Sequence, residues 1–135
     1  MNNYKELEVW KKSVGLALAT YKMTNAFPAS ERFGLTAQMR RAATSVPANI
    51  AEGWGRGTTK EYIHFLLLAR GSLMEVETHA IISRGLAFLT EQQCGDVQTQ
   101  IQEIGRMLNG LIQSLRKAHR PATPAANPQS LIPNP

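Results

Sequence analysis

The sequence contains a single cysteine, Cys94, in 135 residues. One cysteine excludes an intrachain disulfide and a multi-cysteine zinc site, and it fits a protein of the reducing cytoplasm. Long hydrophobic runs are also missing, because the longest purely apolar stretch, residues 65–69, falls far short of the roughly 20 residues of a transmembrane helix. The first residues lack the apolar core of a signal peptide. We therefore expect a cytoplasmic protein that does not enter the membrane.

Aromatic residues are scarce, at 7% of the chain, which is low for an all-β sandwich. Acidic residues are outnumbered by basic ones, 10 against 15, and the formal net charge is +5. This surplus favours polyanionic partners such as nucleic acids, although it does not fix the function. Hydrophobic residues make up 43% of the chain, which is enough for a core and argues against wholesale disorder. The length favours one folded domain.

Four segments have the hydrophobic periodicity of amphipathic helices, and none has the sustained alternation of a strand. The first runs from about residue 4 to 25 and stops before Pro28, because the residue preceding a proline is pushed out of the α region. The second begins at Ser30, a predicted N-cap, and continues to the glycine-rich segment 53–57. Pro47 lies inside it and allows either a kinked helix or a break. The unbroken phase of the apolar stripe favours the kink.

The third and fourth helices have clear start signals. Thr58 precedes Glu61 by three residues, and Thr90 precedes Gln93 by the same distance, which is the spacing of a capping box. Short connections between four long helices predict antiparallel neighbours. We therefore predict an all-α fold in which the four helices form an up-down-up-down bundle.

The boundary of this bundle is set by a change in composition. Residues 120–135 are rich in proline, alanine and asparagine, and such a segment can neither continue a helix nor build a core. The predicted organisation is therefore a bundle over residues 1–119 followed by a flexible tail.

Polar side chains recur beside the apolar stripe of the second helix, three or four residues apart. A solvated face would normally carry lysine and glutamate, so glutamine, serine and asparagine here predict a partly buried network that fixes the bundle register or a subunit interface. A catalytic cluster is the alternative, but no nucleophile–base pair is apparent, and no histidine or cysteine spacing indicates a metal or cofactor site. The predicted network comprises Gln38, Arg41, Asn49, Glu52, Arg70 and Glu75.

The glycine-rich segment between the second and third helices resembles a phosphate loop only superficially, and we interpret it as a helix connector. A second interpretation stays open: N–H groups at the start of the third helix hold one backbone phosphate, while Trp54 stacks on an unpaired base or simply packs. The basic surplus lies on the first two helices and this connector. The predicted nucleic-acid-binding residues are Lys5, Lys12, Arg56 and Lys60.

Several short motifs occur in a fixed order along the chain. They are Leu7-Glu8-Val9-Trp10, Phe27-Pro28, GLTAQMRRA at 34–42, SVPANIAEG at 45–53 and ARGSL at 69–73. Together they resemble the bacterial four-helix-bundle family named after the protein encoded by 23S rRNA intervening sequences, which is itself similar to accessory proteins of diversity-generating retroelements. The resemblance implies a homopentameric barrel with a central channel. For the accessory proteins it also implies a basic surface that binds nucleic acid and contacts a reverse transcriptase.

These observations predict a non-enzymatic, oligomeric binding protein that contacts nucleic acid through phosphates. RNA is favoured over duplex DNA by the resemblance alone. The alternative is a protein-only scaffold or adaptor. Ile63, Leu67 and Ile81 lie off the main stripe of the third helix and would leave an apolar patch on a monomer, which predicts a subunit interface there.

Overall fold

Four long helices make up most of residues 3–119, which are the residues that the computed structural model describes. Two short 3₁₀ turns, Tyr4–Glu6 and Ala29–Glu31, precede the first and second helices, and this part of the chain contains no strand. No helix among these residues is long and apolar enough to cross a membrane. The predicted tail, 120–135, lies outside the described residues. The helices are α1 (Glu8–Thr24), α2 (Leu35–Gly55), α3 (Thr59–Gly85) and α4 (Glu91–His119).

Each helix packs against two neighbours, in the closed order α1–α2–α3–α4–α1, and the diagonal pairs make no close contact within the described chain. The α2–α3 contact is the most extensive. Apolar stripes from all four helices meet at the centre, where Leu16, Met39, Leu73 and Leu108 are fully buried. The prediction of an all-α fold with four helices is confirmed.

The start of α2 differs from the sequence prediction. Ser30 lies in the 3₁₀ turn, and α2 begins five residues later at Leu35, after Gly34. The Glu31 carboxylate accepts a hydrogen bond from the Leu35 backbone N–H at 3.1 Å. Ser30 was therefore wrong as the N-cap, because Glu31 reaches forward to satisfy one of the otherwise unpaired N–H groups of the first turn.

Pro47 does not interrupt α2. The helix runs from Leu35 to Gly55 without a break, although proline removes one backbone hydrogen bond from its interior. Val46 and Ile50, on either side of Pro47, are both fully buried. The apolar stripe thus continues across the proline, as its unbroken phase predicts, and a break is excluded.

The start signals of α3 and α4 are confirmed. Thr58 Oγ1 accepts a hydrogen bond from the Glu61 N–H at 3.2 Å. At α4 the exchange is reciprocal, since Thr90 Oγ1 accepts from the Gln93 N–H at 3.1 Å and Gln93 Oε1 accepts from the Thr90 N–H at 2.9 Å. These two caps therefore define the first residues of α3 and α4.

Candidate nucleic-acid interface

One end of the bundle collects residues from four separate parts of the chain. Because neighbouring helices are antiparallel, the start of α1, the end of α2, the start of α3 and the end of α4 lie together. We term this the connector end. It carries Lys5, Arg56 and Lys60 from the predicted set, together with Arg116 and Lys117 in the last turn of α4.

Arg116 and Lys117 are exposed, and sequence reasoning did not include them among the binding residues. In the sequence they indicate only that cations stabilise the negative end of a helix dipole. Their position at the connector end follows from the antiparallel packing of α4 against α3 and α1, which the order of charges along the sequence does not show.

Two of the four predicted binding residues are already paired. Lys12 Nζ lies 3.0 Å from the Glu103 carboxylate of α4. Arg56 lies 2.9 Å from the Glu52 carboxylate, and its guanidinium also stands 4.9 Å from the centre of the Phe65 ring. These carboxylates reduce the positive potential that Lys12 and Arg56 can offer to a phosphate.

The other two predicted residues have no ion pair with a carboxylate of residues 3–119. Lys5 Nζ lies 5.9 Å from the centre of the Tyr4 ring and is exposed. Lys60 is exposed and has no ion pair or side-chain hydrogen bond with any residue in the range 3–119. Lys5 and Lys60 are therefore the most available predicted cations at the connector end.

The connector itself depends on two glycines. A Cβ atom at Gly53 would lie 2.8 Å from the Phe65 Cβ and 3.2 Å from the Tyr62 carbonyl oxygen, so only glycine allows α2 and α3 to approach this closely. Gly57 has a backbone φ of +84°, in the left-handed region that glycine adopts without steric cost. Together they let the chain reverse direction within a few residues.

A small cavity of about 220 Å³ opens beside this turn, and we term it the connector hollow. Trp54 and Tyr62 form its aromatic wall, with their ring centres 6.0 Å apart in an edge-to-face arrangement. The Tyr62 hydroxyl is buried and lacks a hydrogen-bond partner among the described residues. Burial raises the pKa of Tyr62 above its ordinary value, so the phenol stays protonated at neutral pH. The remaining lining residues are Gly53, Gly57, Thr58 and Thr59.

The predicted polar stripe surrounds a second cavity, of about 330 Å³, between α2 and α3. Gln38 and Arg41 from α2 and Glu75 and His79 from α3 line it. None of the first three side chains has a hydrogen bond or ion pair with any described residue, and the buried His79 Nδ1 atom has no hydrogen-bond partner among those residues either. At this cavity the polar stripe of α2 therefore lies next to α3 at the surface of the bundle and not in its interior.

Beside this cavity, three half-buried or buried side chains do form a network. The Ser45 and Ser72 hydroxyls lie 2.9 Å apart and link α2 to α3. Asn49 Nδ2 donates to both the hydroxyl and the carbonyl oxygen of Ser45, at 2.9 Å and 2.8 Å. Of the predicted set, Asn49 alone belongs to this network.

The other predicted network residues are exposed, so their expected burial within one chain is wrong. Glu52 is 54% exposed and pairs with Arg56, and Arg70 donates to the Asn109 side chain of α4 at 2.9 Å. The reason is geometric, because the stripe follows the rim of the α2–α3 contact rather than its centre. A role for these residues between subunits stays a prediction. The exposed members are Gln38, Arg41, Glu52, Arg70 and Glu75.

Comparison with known proteins places this fold in a family. A crystal structure of a Bacteroides thetaiotaomicron protein of unknown function from the S23 ribosomal protein family superposes with a TM-score of 0.73 at 23% identity. The match covers 78% of this chain and 95% of that one, and it shows the fold alone. No curated protein matches the sequence. The model of the 23S rRNA-intervening sequence protein family matches residues 5–110, most of the chain, and the chain therefore belongs to that family.

Proposed function

We propose that this protein is a non-enzymatic nucleic-acid-binding protein that attaches to phosphates at the connector end, with RNA as the favoured ligand. The observation that carries the proposal is the gathering of exposed cations from three separate segments, namely Lys5, Lys60 and the pair Arg116 and Lys117. The family is named for an intervening sequence of 23S rRNA, which supports RNA over DNA.

The expected binding mode follows from the kind of groups available. Lysine and arginine side chains on an exposed surface neutralise phosphates, and the released counterions make binding fall steeply with salt. Phosphate contacts position a ligand without reading its sequence. Binding is therefore expected to show modest sequence preference and strong dependence on ionic strength.

Charge reversal at the two free cations tests the location. We expect the double variant Lys5→Glu, Lys60→Glu to bind structured RNA at least roughly tenfold more weakly at low salt, since two phosphate contacts become repulsive. The matched control is Lys22→Glu, Arg32→Glu, which makes the same change in net charge with exposed residues at the opposite end of the bundle. Filter binding at two salt concentrations, with structured RNA, single-stranded DNA and duplex DNA, measures both variants.

Three outcomes would contradict the proposal in different ways. Equal losses in both double variants would indicate a response to net charge rather than a site at the connector end. Preference for duplex DNA would remove RNA as the favoured ligand. Absence of binding by the natural protein at low salt would end the nucleic-acid proposal and favour the protein-only scaffold.

Assembly is the second part of the proposal, and the outer face of α3 supports it. Four large apolar side chains of α3, together with Leu86 directly after its last residue, are 44–54% exposed. The sequence predicted an apolar patch at three residues of α3. Ile81 is exposed as predicted, whereas Ile63 and Leu67 are partly buried against the core. We term this the α3 face, and it comprises Leu68, Met74, Ile81, Ile82 and Leu86.

Gly71 lies within this face, in the interior of α3. A Cβ atom there would meet nothing within 4 Å, so packing inside the chain does not require glycine. Glycine in a helix interior costs about 1 kcal/mol relative to alanine. Close approach by a second helix would explain it, and a second copy of this chain is the partner we propose. The five-fold symmetry of the ring rests on the resemblance to the family.

A further inference from the structure

The connector hollow has the lining of a site for a flat, polar ring. Trp54 and Tyr62 provide aromatic surface, and the Thr58 and Thr59 side chains add hydroxyl groups. The volume of about 220 Å³ is smaller than the roughly 300–1,000 Å³ of pockets for drug-sized ligands. It therefore suits one ring system, with any attached charged group left outside.

Two hydroxyl groups of the lining residues have no hydrogen-bond partner among residues 3–119, one buried and one at the hollow. Buried hydroxyl groups almost always have a hydrogen-bond partner, and the Tyr62 hydroxyl has none within the described chain. Thr58 already caps α3 through the Glu61 N–H, whereas the Thr59 hydroxyl has no hydrogen bond to a described residue. The Thr59 hydroxyl thus adds hydrogen-bonding capacity to the aromatic surface of the hollow, whereas the Tyr62 hydroxyl is enclosed by the protein and is not accessible from it.

Two cations and two carboxylates, those of Glu52 and Glu61, lie close to the hollow along the chain. Arg56 precedes its glycine turn, and Lys60 follows the two threonines in the first turn of α3. Lys60 has no ion pair with any residue of the described chain, and Arg56 forms an ion pair with the Glu52 carboxylate. A ligand with an aromatic ring in the hollow and phosphates on either side would match this arrangement of aromatic and basic groups.

We propose that the connector hollow holds one unpaired base of a single-stranded RNA, stacked against Trp54, while the flanking phosphates lie near Arg56 and Lys60. This inference rests on the proposed function and assigns its base contact. An unpaired base has a π-face for the indole and edge groups for hydroxyls, and such stacking tolerates any of the four bases. A base paired within a duplex would not enter, because both its edge and its faces are occupied.

The two tryptophans make a direct test available. Trp10 packs edge-to-face on Tyr4 in the N-terminal part of the fold, with ring centres 5.4 Å apart, and the substitution Trp10→Phe keeps an aromatic ring there. It leaves Trp54 as the sole tryptophan. We expect its fluorescence to be quenched saturably by single-stranded oligouridine. Neither an abasic ribose-phosphate oligomer of the same length nor blunt duplex RNA should quench it comparably.

A second variant measures the contribution to affinity. Trp54→Leu keeps an apolar side chain and both cations, and we expect it to lower affinity for oligouridine roughly tenfold, while its affinity for the abasic oligomer stays unchanged. Uridine monophosphate provides the comparison with a free nucleotide. If it quenches as strongly as the oligomer at equal concentration, the hollow is a mononucleotide site and the strand-binding inference is wrong.

The outcomes separate this inference from the proposed function. Salt-dependent RNA binding without quenching of Trp54, or with undiminished affinity in Trp54→Leu, would overturn the base site and leave the phosphate site standing. Equal quenching by the abasic oligomer would also overturn it. Failure of the natural protein to bind any nucleic acid at low salt would overturn both.

Discussion

At the scale of single residues, Gly53 controls the tightest contact between two helices. Alanine at this position would place its Cβ 2.8 Å from the Phe65 Cβ, and this contact can be relieved only by moving α2 relative to α3. We expect Gly53→Ala to lower the free energy of unfolding by about 1–3 kcal/mol, the usual cost of overpacking a close contact. Chemical denaturation measures this change.

Gly55 provides the matched control for this experiment. It lies two residues further along α2, where an added Cβ would meet nothing within 4 Å. Gly55→Ala should therefore be neutral or stabilising by up to about 1 kcal/mol. Equal destabilisation by both substitutions would show that the tight approach at Gly53 is not what requires glycine.

Glu52 gives a second prediction at this scale. It is half-exposed and paired with a half-exposed Arg56 on the same helix, so Glu52→Ala should cost less than about 1 kcal/mol of stability. The substitution also frees Arg56, and we expect affinity for RNA at low salt to increase. A loss of about 3–5 kcal/mol would instead indicate a buried ion pair, which an interface between subunits would have to create.

At the scale of whole elements, the start of α4 depends on the reciprocal hydrogen bonds of Thr90 and Gln93. We expect Thr90→Ala to destabilise the protein by about 1 kcal/mol, because the Gln93 N–H loses its side-chain acceptor at the helix N-terminus. Thr99→Ala, in the exposed interior of the same helix, is the control and should be neutral or slightly stabilising. Thermal unfolding followed by circular dichroism distinguishes them.

The starts of α2, α3 and α4 show why helix boundaries can be predicted only partly from sequence. Thr58 and Thr90 were identified correctly as caps because their partners follow at fixed local spacing. Ser30 has the right side chain for a cap, but the Glu31 carboxylate satisfies the Leu35 N–H and the helix starts later. Neighbouring polar side chains compete for the first N–H groups of a helix, and residue type alone does not show which of them forms the hydrogen bond.

At the scale of the whole molecule, the α3 face predicts assembly. We expect the natural protein to form a closed ring in solution, and the double variant Leu68→Lys, Ile81→Lys to have a lower mass with its helical content retained, since both residues are exposed in the single chain. Light scattering after size-exclusion chromatography measures the mass. Gln102→Lys, Gln113→Lys adds the same charge to exposed positions of α4 and should leave the mass unchanged.

Two results would contradict this prediction. A natural protein that remains a monomer across the micromolar range would show that the α3 face does not hold copies of this chain together. A ring that survives the double variant but not its control would place the interface on α4.

The sequence by itself determined the four helices and their core faces, because hydrophobic periodicity and capping are encoded within a few residues. It favoured a helix that continues through Pro47 over a break, and the tertiary structure decided between them. It also selected the polar positions on α2, although not their exposure. Only the tertiary structure decided which cations are free. Lys12 meets Glu103 from the far end of the sequence, while Arg116 and Lys117 join the connector end. Such neighbours arise from antiparallel packing, and local patterns carry no information about the charge that another helix brings.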